Sequence, residues 1–275
     1  MQQYGLDYKS WGEKIIEKRN MPNLKKVINE VSPILTNPLR LKGDWAITSD
    51  WHIPTMSVEW LEILINTSKK YGIKNLIIGG DLLNLDLLSY YWSQKNNIET
   101  LSIDKELSIA KTTMRYLEET YDNIVWLLGN HERRLSHTTK YGLAASNMLF
   151  LLECSVNKYT INGKSYCYLD DIRITHPKSY TQNKLSVASR LANKFNCHIL
   201  QAHGHFLSVG YSVGGYVIGD TGGMFDRHRV GYLDEADSTH PIWNNGFFIY
   251  KGKRLYMFGE GIGDYETKPQ GEKKQ

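Results

Sequence analysis

The sequence predicts an α/β fold in which a parallel sheet is layered with helices. The apolar runs in "DWAITSD", "KNLIIGGD" and "IVWLLGN" are each short enough to be a buried strand. Long amphipathic stretches separate them, "SVEWLEILINTSKKYG" and "SIDKELSIAKTTMRYLEETYDN". This strand–helix–strand rhythm is that of βαβ units.

The elements follow in order. From Trp11 to Leu35 apolar residues recur three or four apart (Ile15, Ile16; Leu24, Val27, Ile28), a helical pattern that the Met21-Pro22 junction breaks in two. "TNPLRLKGD" reads as a linker. The first amphipathic helix has Ser57 as N-cap, Glu59 in its first turn and Gly72 as its stop. Beyond Gly129 come a helix around Gly142 to Glu153 and a hairpin over "KYTINGKSYCYL", with Asn162-Gly163 as its turn. "DIRITHPKS" reads as a strand, "NKLSVASRLANKF" as a helix and "CHILQAHGH" as a further strand. "FLSVGYSVGGYVIGDTGG" and "GFFIYKGKRLYMF" read as antiparallel strands joined by glycine-rich turns, and "GDYETKPQGEKKQ" as a loose tail.

With 275 residues, 41% of them apolar and 23% charged, the chain can bury one large domain with a small appendage. The expected organisation is a basic helical extension over 1–43, a main domain over 44–260 and the tail over 261–275. No apolar stretch approaches membrane length, and the first residues lack the apolar core of a signal peptide, so a cytoplasmic protein without membrane contact is expected. Cys154, Cys167 and Cys197 are odd in number and match no metal-binding spacing, which suits reduced thiols. The net charge of +4 is concentrated at the start: residues 9–42 hold eight basic and three acidic residues, a net of +5. The expected role of that surplus is a solvated amphipathic helix, with a phosphate or nucleic-acid contact as the alternative.

The informative residues stand at the strand ends. Asp50 and His52 come after the first strand, Asp81 after the second, Asn130 and His131 after the third, His176 after a later one, and His203 and His205 after the next. Ligands of open α/β sheets bind outside the carboxyl ends of the strands, so these oxygen and nitrogen donors could converge on one crevice. Any one of the motifs alone is weak; their occurrence in order is not. "VIGD" at Gly219-Asp220 reads as a turn beside the site, His198 as a core or surface histidine, and His137, His228 and His240 fall in no ligand pattern.

The ordered series "DWH", "GDLLN", "GNHE", "THP" and "AHGH" resembles the calcineurin-like metallophosphoesterases, over roughly residues 44–260. Ala202 stands for the glycine of the last motif. Asn84 and Leu85 stand where the protein Ser/Thr phosphatases of this superfamily have aspartate and arginine, which argues against that branch. The resemblance implies the metallo-dependent phosphatase fold, a four-layer sandwich of mixed sheets flanked by helices. It implies one metal on Asp50, His52, Asp81 and His205 and a second on Asp81, Asn130, His176 and His203, with Asp81 bridging. Two divalent transition-metal ions are expected, Mn foremost, with Fe, Zn, Co and Ni as alternatives, because histidine and carboxylate donors without thiolates suit them.

In-line attack by a bridging hydroxide is the implied reaction, with His131 protonating the leaving oxygen, Asn84 orienting it, and Arg133 or Arg134 holding a phosphate oxygen. The substrate expected is a phosphomonoester or phosphodiester. A nuclease using the same site, a silent scaffold on this fold, and a nucleic-acid-binding module are the alternatives. The aromatic segments "NLDLLSYYWSQKNN" and "MFDRHRVGYLDEADSTHPIWNN" are expected to cover the core or to stack on a base. Oligomeric state is not encoded in any of these features.

Overall fold

Continuous apolar runs are what a strand needs when both of its faces are covered, and in a computed structural model of the chain they are covered. The structure describes residues 38–89, 102–138, 147–155, 157–226, 229 and 243–260. The chain divides into two units, 1–37 and 38–275, and the described residues all lie in the second. The basic helices expected before residue 38 and the tail after residue 260 lie outside the described residues.

In chain order the elements are β1 (Arg40–Leu41), β2 (Trp45–Thr48), α1 (Val58–Tyr71), β3 (Asn75–Ile78), α2 (Ile103–Thr120), β4 (Asn123–Leu127), α3 (Asn130–Thr138) and α4 (Asn147–Leu151). Next come β5 (Tyr159–Asn162), β6 (Tyr166–Leu169), β7 (Ile172–Thr175), α5 (Ser186–Phe195), β8 (His198–Gln201), β9 (Ser208–Tyr211), β10 (Val217–Asp220), β11 (Gly246–Lys251) and β12 (Arg254–Gly259). They form two mixed six-stranded sheets, ordered β12-β11-β2-β3-β4-β5 and β1-β6-β7-β8-β10-β9. The parallel pairing read from the rhythm covers β2 to β5 of the first sheet, where the β11–β12 hairpin adds antiparallel strands beside β2, and recurs over β7, β8 and β10 of the second.

Side-chain alternation assigns the layers. Trp45, Ile47, Ile77, Val125, Leu127, Phe248 and Tyr250 of the first sheet meet Cys167, Leu169, Ile172, Ile174 and Leu200 of the second. The intervening residues, among them Ala46, Leu76, Ile78, Ile124, Trp126 and Phe247, pack outward on α1 and α2. On the far side, Ala188 and Ala192 of α5 cover Ile199 and Ile218. Helix, sheet, sheet, helix: the four-layer sandwich is present.

Local chemistry sets the helix ends. Ser57 accepts from the Trp60 N–H at 3.3 Å, and Gly72 takes φ 67° with its N–H turned back to Lys69 and Ser68. Leu61, Leu64, Ile65 and Ser68 make the buried stripe of α1. The Tyr121 hydroxyl, past the end of α2, shares a 2.7 Å hydrogen bond with Ser68, tying the two helices together.

Two sequence expectations change. Arg40–Leu41, read as linker, pairs in parallel with Tyr168 and Leu169. The expected hairpin at Asn162-Gly163 is a crossover: β5 pairs with β4, whereas β6 pairs with β1 and β7. The reason is packing. Tyr159 of β5 donates its hydroxyl to Met114 O under α2, while Cys167 and Leu169 of β6 enter the space between the sheets. Asn162 accepts from Lys164 N and donates to Tyr166 O, so it makes the turn without pairing the strands. Within the described residues no helix is long and apolar enough to cross a membrane.

Leu64→Ala should destabilise the domain by roughly 2–5 kcal/mol, because the side chain is fully buried between α1 and the sheet. Val58→Ala, at a residue 61% exposed on the same helix, should change stability by no more than about 0.5 kcal/mol. Urea unfolding midpoints compare the two, and equal losses would contradict the layer assignment.

Candidate metal centre

The loops after β2 and β3 continue the strand pairing past the sheet. The N–H groups of Asp50, Trp51 and His52 donate to the carbonyls of Gly80 and Asp81 at 2.9 to 3.0 Å. Asp50 and His52 therefore stand beside Asp81 by backbone geometry. After β4 the chain turns at Gly129 directly into α3. The first N–H groups of a helix lack intrahelical partners, and here carboxylates satisfy them. His131 N donates to Asp81 Oδ1 at 2.9 Å and Gly129 N to Glu132 Oε2 at 2.8 Å. A side chain on Gly129 would run into the Asp81 carboxylate, and one on Gly80 would come within 2.6 Å of His176 Nδ1. Both positions require glycine because these three loops touch.

The second sheet supplies the opposing donors. His176 follows β7, and its Nδ1 bonds to the Gly79 carbonyl at 3.0 Å, which leaves Nε2 to face the site. His203 and His205 follow β8, and His203 N donates to Asp50 Oδ2 at 3.0 Å, joining the loops of the two sheets.

Every predicted ligand falls in this crevice. Asp50, His52 and His205 form one set, Asp81, His176 and His203 another, and His52, Asp81 and His131 a third that overlaps both, the donor atoms of each lying within 4.8 Å of one another. His205 Nε2 is 3.1 Å from Asp50 Oδ1 and 3.3 Å from His52 Nε2. Asn130 Oδ1 is 2.9 Å from His176 Nε2, beside the second set. Asp50, His52, Asp81, His203 and His205 all adopt positive φ, between 48° and 73°. L-residues pay roughly 1–3 kcal/mol for such conformations and keep them only where the surroundings impose them.

A cation fits the electrostatics. Asp81 Oδ2 is buried and accepts no hydrogen bond, although His176 Nε2 is 3.3 Å away and His131 Nε2 3.9 Å away. A carboxylate oxygen buried without a partner is costly, and a cation between it and the imidazole lone pairs removes the cost. The proton affinities carry the same signature. Burial alone would lower the pKa of His176, but the Asp81 charge reverses this and pushes it up to about 9. Burial opposes the Asp50 carboxylate too, yet the charge and hydrogen bond of His205 bring its pKa down to about 2. Burial lowers His52 and His203 instead, His203 to about 4, so the crevice holds positive charge at His176 and keeps these other imidazoles neutral, the form that ligates a metal.

His131 and Asn84 meet, though not side chain to side chain. His131 Nδ1 is 2.6 Å from the Asn84 carbonyl, while the Asn84 amide donates to Asp86 Oδ2 at 2.6 Å. Burial pushes the His131 pKa down to about 3 against the pull of Asp81. Arg133 turns away to Ser165, its Nη2 donating to Oγ at 2.8 Å, whereas Arg134 Nη2 lies 3.0 Å from His131 Nε2.

Two supporting acids escaped the sequence reading. Glu132 is buried and accepts from Asp81 N, Leu83 N and Gly129 N at 2.8 to 3.0 Å, binding the second loop to the third; burial and then the Asp81 charge push its pKa up to about 7. Asp220, read as part of a turn, ends β10 and is fully buried. It accepts from Gln201 Nε2, Gly222 N and Phe206 N, which backs the loop carrying His203 and His205. The signal for Glu132 was its place in "GNHE"; the second Gly-Asp pair placed Asp220 beside the site, though as a turn and not as a buried support.

Glu132→Ala leaves three buried N–H groups without an acceptor and should cost roughly 3–5 kcal/mol. Glu132→Gln keeps one carbonyl oxygen and should cost less. Unfolding measured in EDTA isolates the loop contribution from metal binding, and a loss under about 1 kcal/mol for the alanine variant would show that this carboxylate does not hold the loops.

The family model for calcineurin-like phosphoesterases matches residues 45–232. No curated protein matches the sequence. Among solved structures, a single mutant of Vps29 from Entamoeba histolytica is 10% identical with a TM-score of 0.43, covering 78% of this chain and 92% of its own. Wild-type Vps29 of that organism, complexed with zinc, is 9% identical with a TM-score of 0.40, covering 80% of this chain and 94% of its own. Vacuolar protein sorting 29 from Cryptosporidium parvum is 11% identical with a TM-score of 0.35, covering 79% and 96%. The family match runs from β2 past β10 and takes in every predicted ligand, and the chain belongs to the calcineurin-like phosphoesterase family.

Proposed function

We propose that the protein hydrolyses a phosphomonoester or phosphodiester bond with two divalent cations, manganese foremost. The observation that carries this reading is the Asp81 carboxylate, which groups with His176 and His203 on one side and with His52 and His131 on the other, and has one oxygen left unbonded. Asp50, His52, Asp81 and His205 would hold one cation, and Asp81, Asn130, His176 and His203 the other. When bound, such a pair polarises the phosphoryl group and makes water a competent nucleophile at neutral pH.

The remaining work falls to the chain. His131 stands within 3.9 Å of Asp81 Oδ2, and the Asn84 carbonyl fixes its ring through Nδ1, so Nε2 faces the reacting centre. Nε2 carries a lone pair while it accepts from Arg134, so its proposed role is to take up a proton from water once a bound ester displaces that contact, and to pass it to the departing alcohol oxygen. Asn84 serves that role through its backbone, and Glu106 fixes the backbone in turn, accepting from Asn84 N at 2.9 Å and Leu85 N at 2.8 Å.

A panel of aryl and alkyl phosphomonoesters and phosphodiesters, assayed after loading with manganese, tests the reaction; no turnover on any of them with the metal bound would refute it. His131→Ala should retain metal and lose about 10²–10⁴-fold on an alkyl ester, whose leaving group needs a proton. An activated aryl ester should lose less. Equal losses on both would remove His131 from the acid role.

A further inference from the structure

We propose that Arg134 is the substrate-gripping cation of this site, donating to a non-bridging phosphoryl oxygen, and that Asp86 and the Asn84 carbonyl aim it. This rests on the phosphoesterase reading and adds to it the residue that recognises the phosphoryl group.

Arg134 follows His131 by one helical turn, so the two side chains leave the same face of α3. Its Nη1 is pinned from two directions, to Asn84 O at 2.8 Å and to Asp86 Oδ1 at 2.7 Å. The guanidinium plane is thereby fixed, and it presents Nη2 to His131 Nε2 at 3.0 Å. Since His131 Nδ1 is engaged by the Asn84 carbonyl, Nε2 offers Arg134 a lone pair. An oxygen that approaches His131 Nε2 therefore also comes within reach of Nη2.

These contacts use both hydrogens of Nη1 and one of Nη2. Because the fork is rigid, the second donor of Nη2 keeps a fixed direction, which suits a tetrahedral oxyanion. Arg134 and Asp86 are about one-fifth exposed, 22% and 20% for their side chains. The charge is thus partly desolvated yet open to a ligand.

The neighbouring residues narrow the choice. Arg133 is committed to Ser165 in the β5–β6 connection. Leu85, buried beside Asn84, brings no charge to the loop. Asp86 is held from behind, because Glu106 clamps the preceding backbone and the Asn84 amide donates to the other Asp86 oxygen. The chain of support runs from Glu106 through the Asn84–Asp86 loop to Arg134, and its outer end is the guanidinium.

Binding of inorganic phosphate to the manganese-loaded protein, followed by calorimetry with metal content checked for every variant, tests this without requiring turnover. Arg134→Ala should weaken phosphate binding by roughly 10–100-fold, and Arg134→Lys by less, since an ammonium keeps the charge although it cannot span Asp86 and the ligand together. Asp86→Asn should weaken binding in the wild-type background and have no effect in Arg134→Ala, the coupling expected of a residue that acts only through the arginine. The proposal is overturned if Arg134→Ala binds phosphate like the wild type at equal metal content, if Arg133→Ala carries the loss instead, or if metal-loaded wild type binds no phosphate. Should Arg134→Ala fold poorly, the Arg134→Lys and Asp86→Asn variants decide alone: undiminished binding in both overturns the proposal, and weakened binding in both upholds it. Wild type that binds phosphate through Arg134 yet hydrolyses no ester would uphold this inference and refute the hydrolytic reading.

Discussion

A single buried carboxylate organises this molecule. Asp81 sits where the loops of three strands and one helix meet: its carbonyl receives the Trp51 and His52 N–H groups, its own N–H goes to Glu132, and Oδ1 caps the start of α3 through His131. Only Oδ2 has no hydrogen bond, and histidine nitrogens face it. An acid held so firmly by its backbone cannot move to relieve that unpaired oxygen. A metal cation bound there would pair it.

The surroundings enforce the same geometry from farther out. Glu132 accepts from three backbone N–H groups and Asp220 from two and the Gln201 side-chain amide, and burial pushes both up to about 7, the mark of acids used as struts in a dry interior. Ser49 hydrogen-bonds to Asp50 and to Thr221, linking the loop after β2 to the one after β10. Such supports offset the cost of holding several ligands at positive φ. The sandwich contributes by rigidity: its two sheets deliver ligands from opposite sides, and the apolar layer between them fixes their spacing.

How much of this was legible in the sequence depends on the range of the interaction. The convergence of the candidate ligands was legible because each stands after a short apolar strand, and strand ends converge by topology. The caps of α1 were legible because Ser57 and Gly72 act within one helical turn. What failed were pairings decided at long range. Asn162-Gly163 carries hairpin chemistry, yet the strands beside it go to different sheets, because Tyr159 and Cys167 bury in different layers. The second acidic "GD", at Gly219-Asp220, looks local but serves the His203–His205 loop. Arg133 and Arg134 are indistinguishable in sequence; only the direction of each side chain from α3 separates the one bonded to Ser165 from the one beside His131.

On the proposed reading Asp81 holds two cations at once. Anomalous diffraction from crystals grown with manganese tests it directly. Two peaks roughly 3.5–4 Å apart are expected on either side of the Asp81 carboxylate, one bounded by His52 and His205 and the other by His176 and His203. A single peak at full metal loading, or two peaks of which only one touches Asp81, would contradict it.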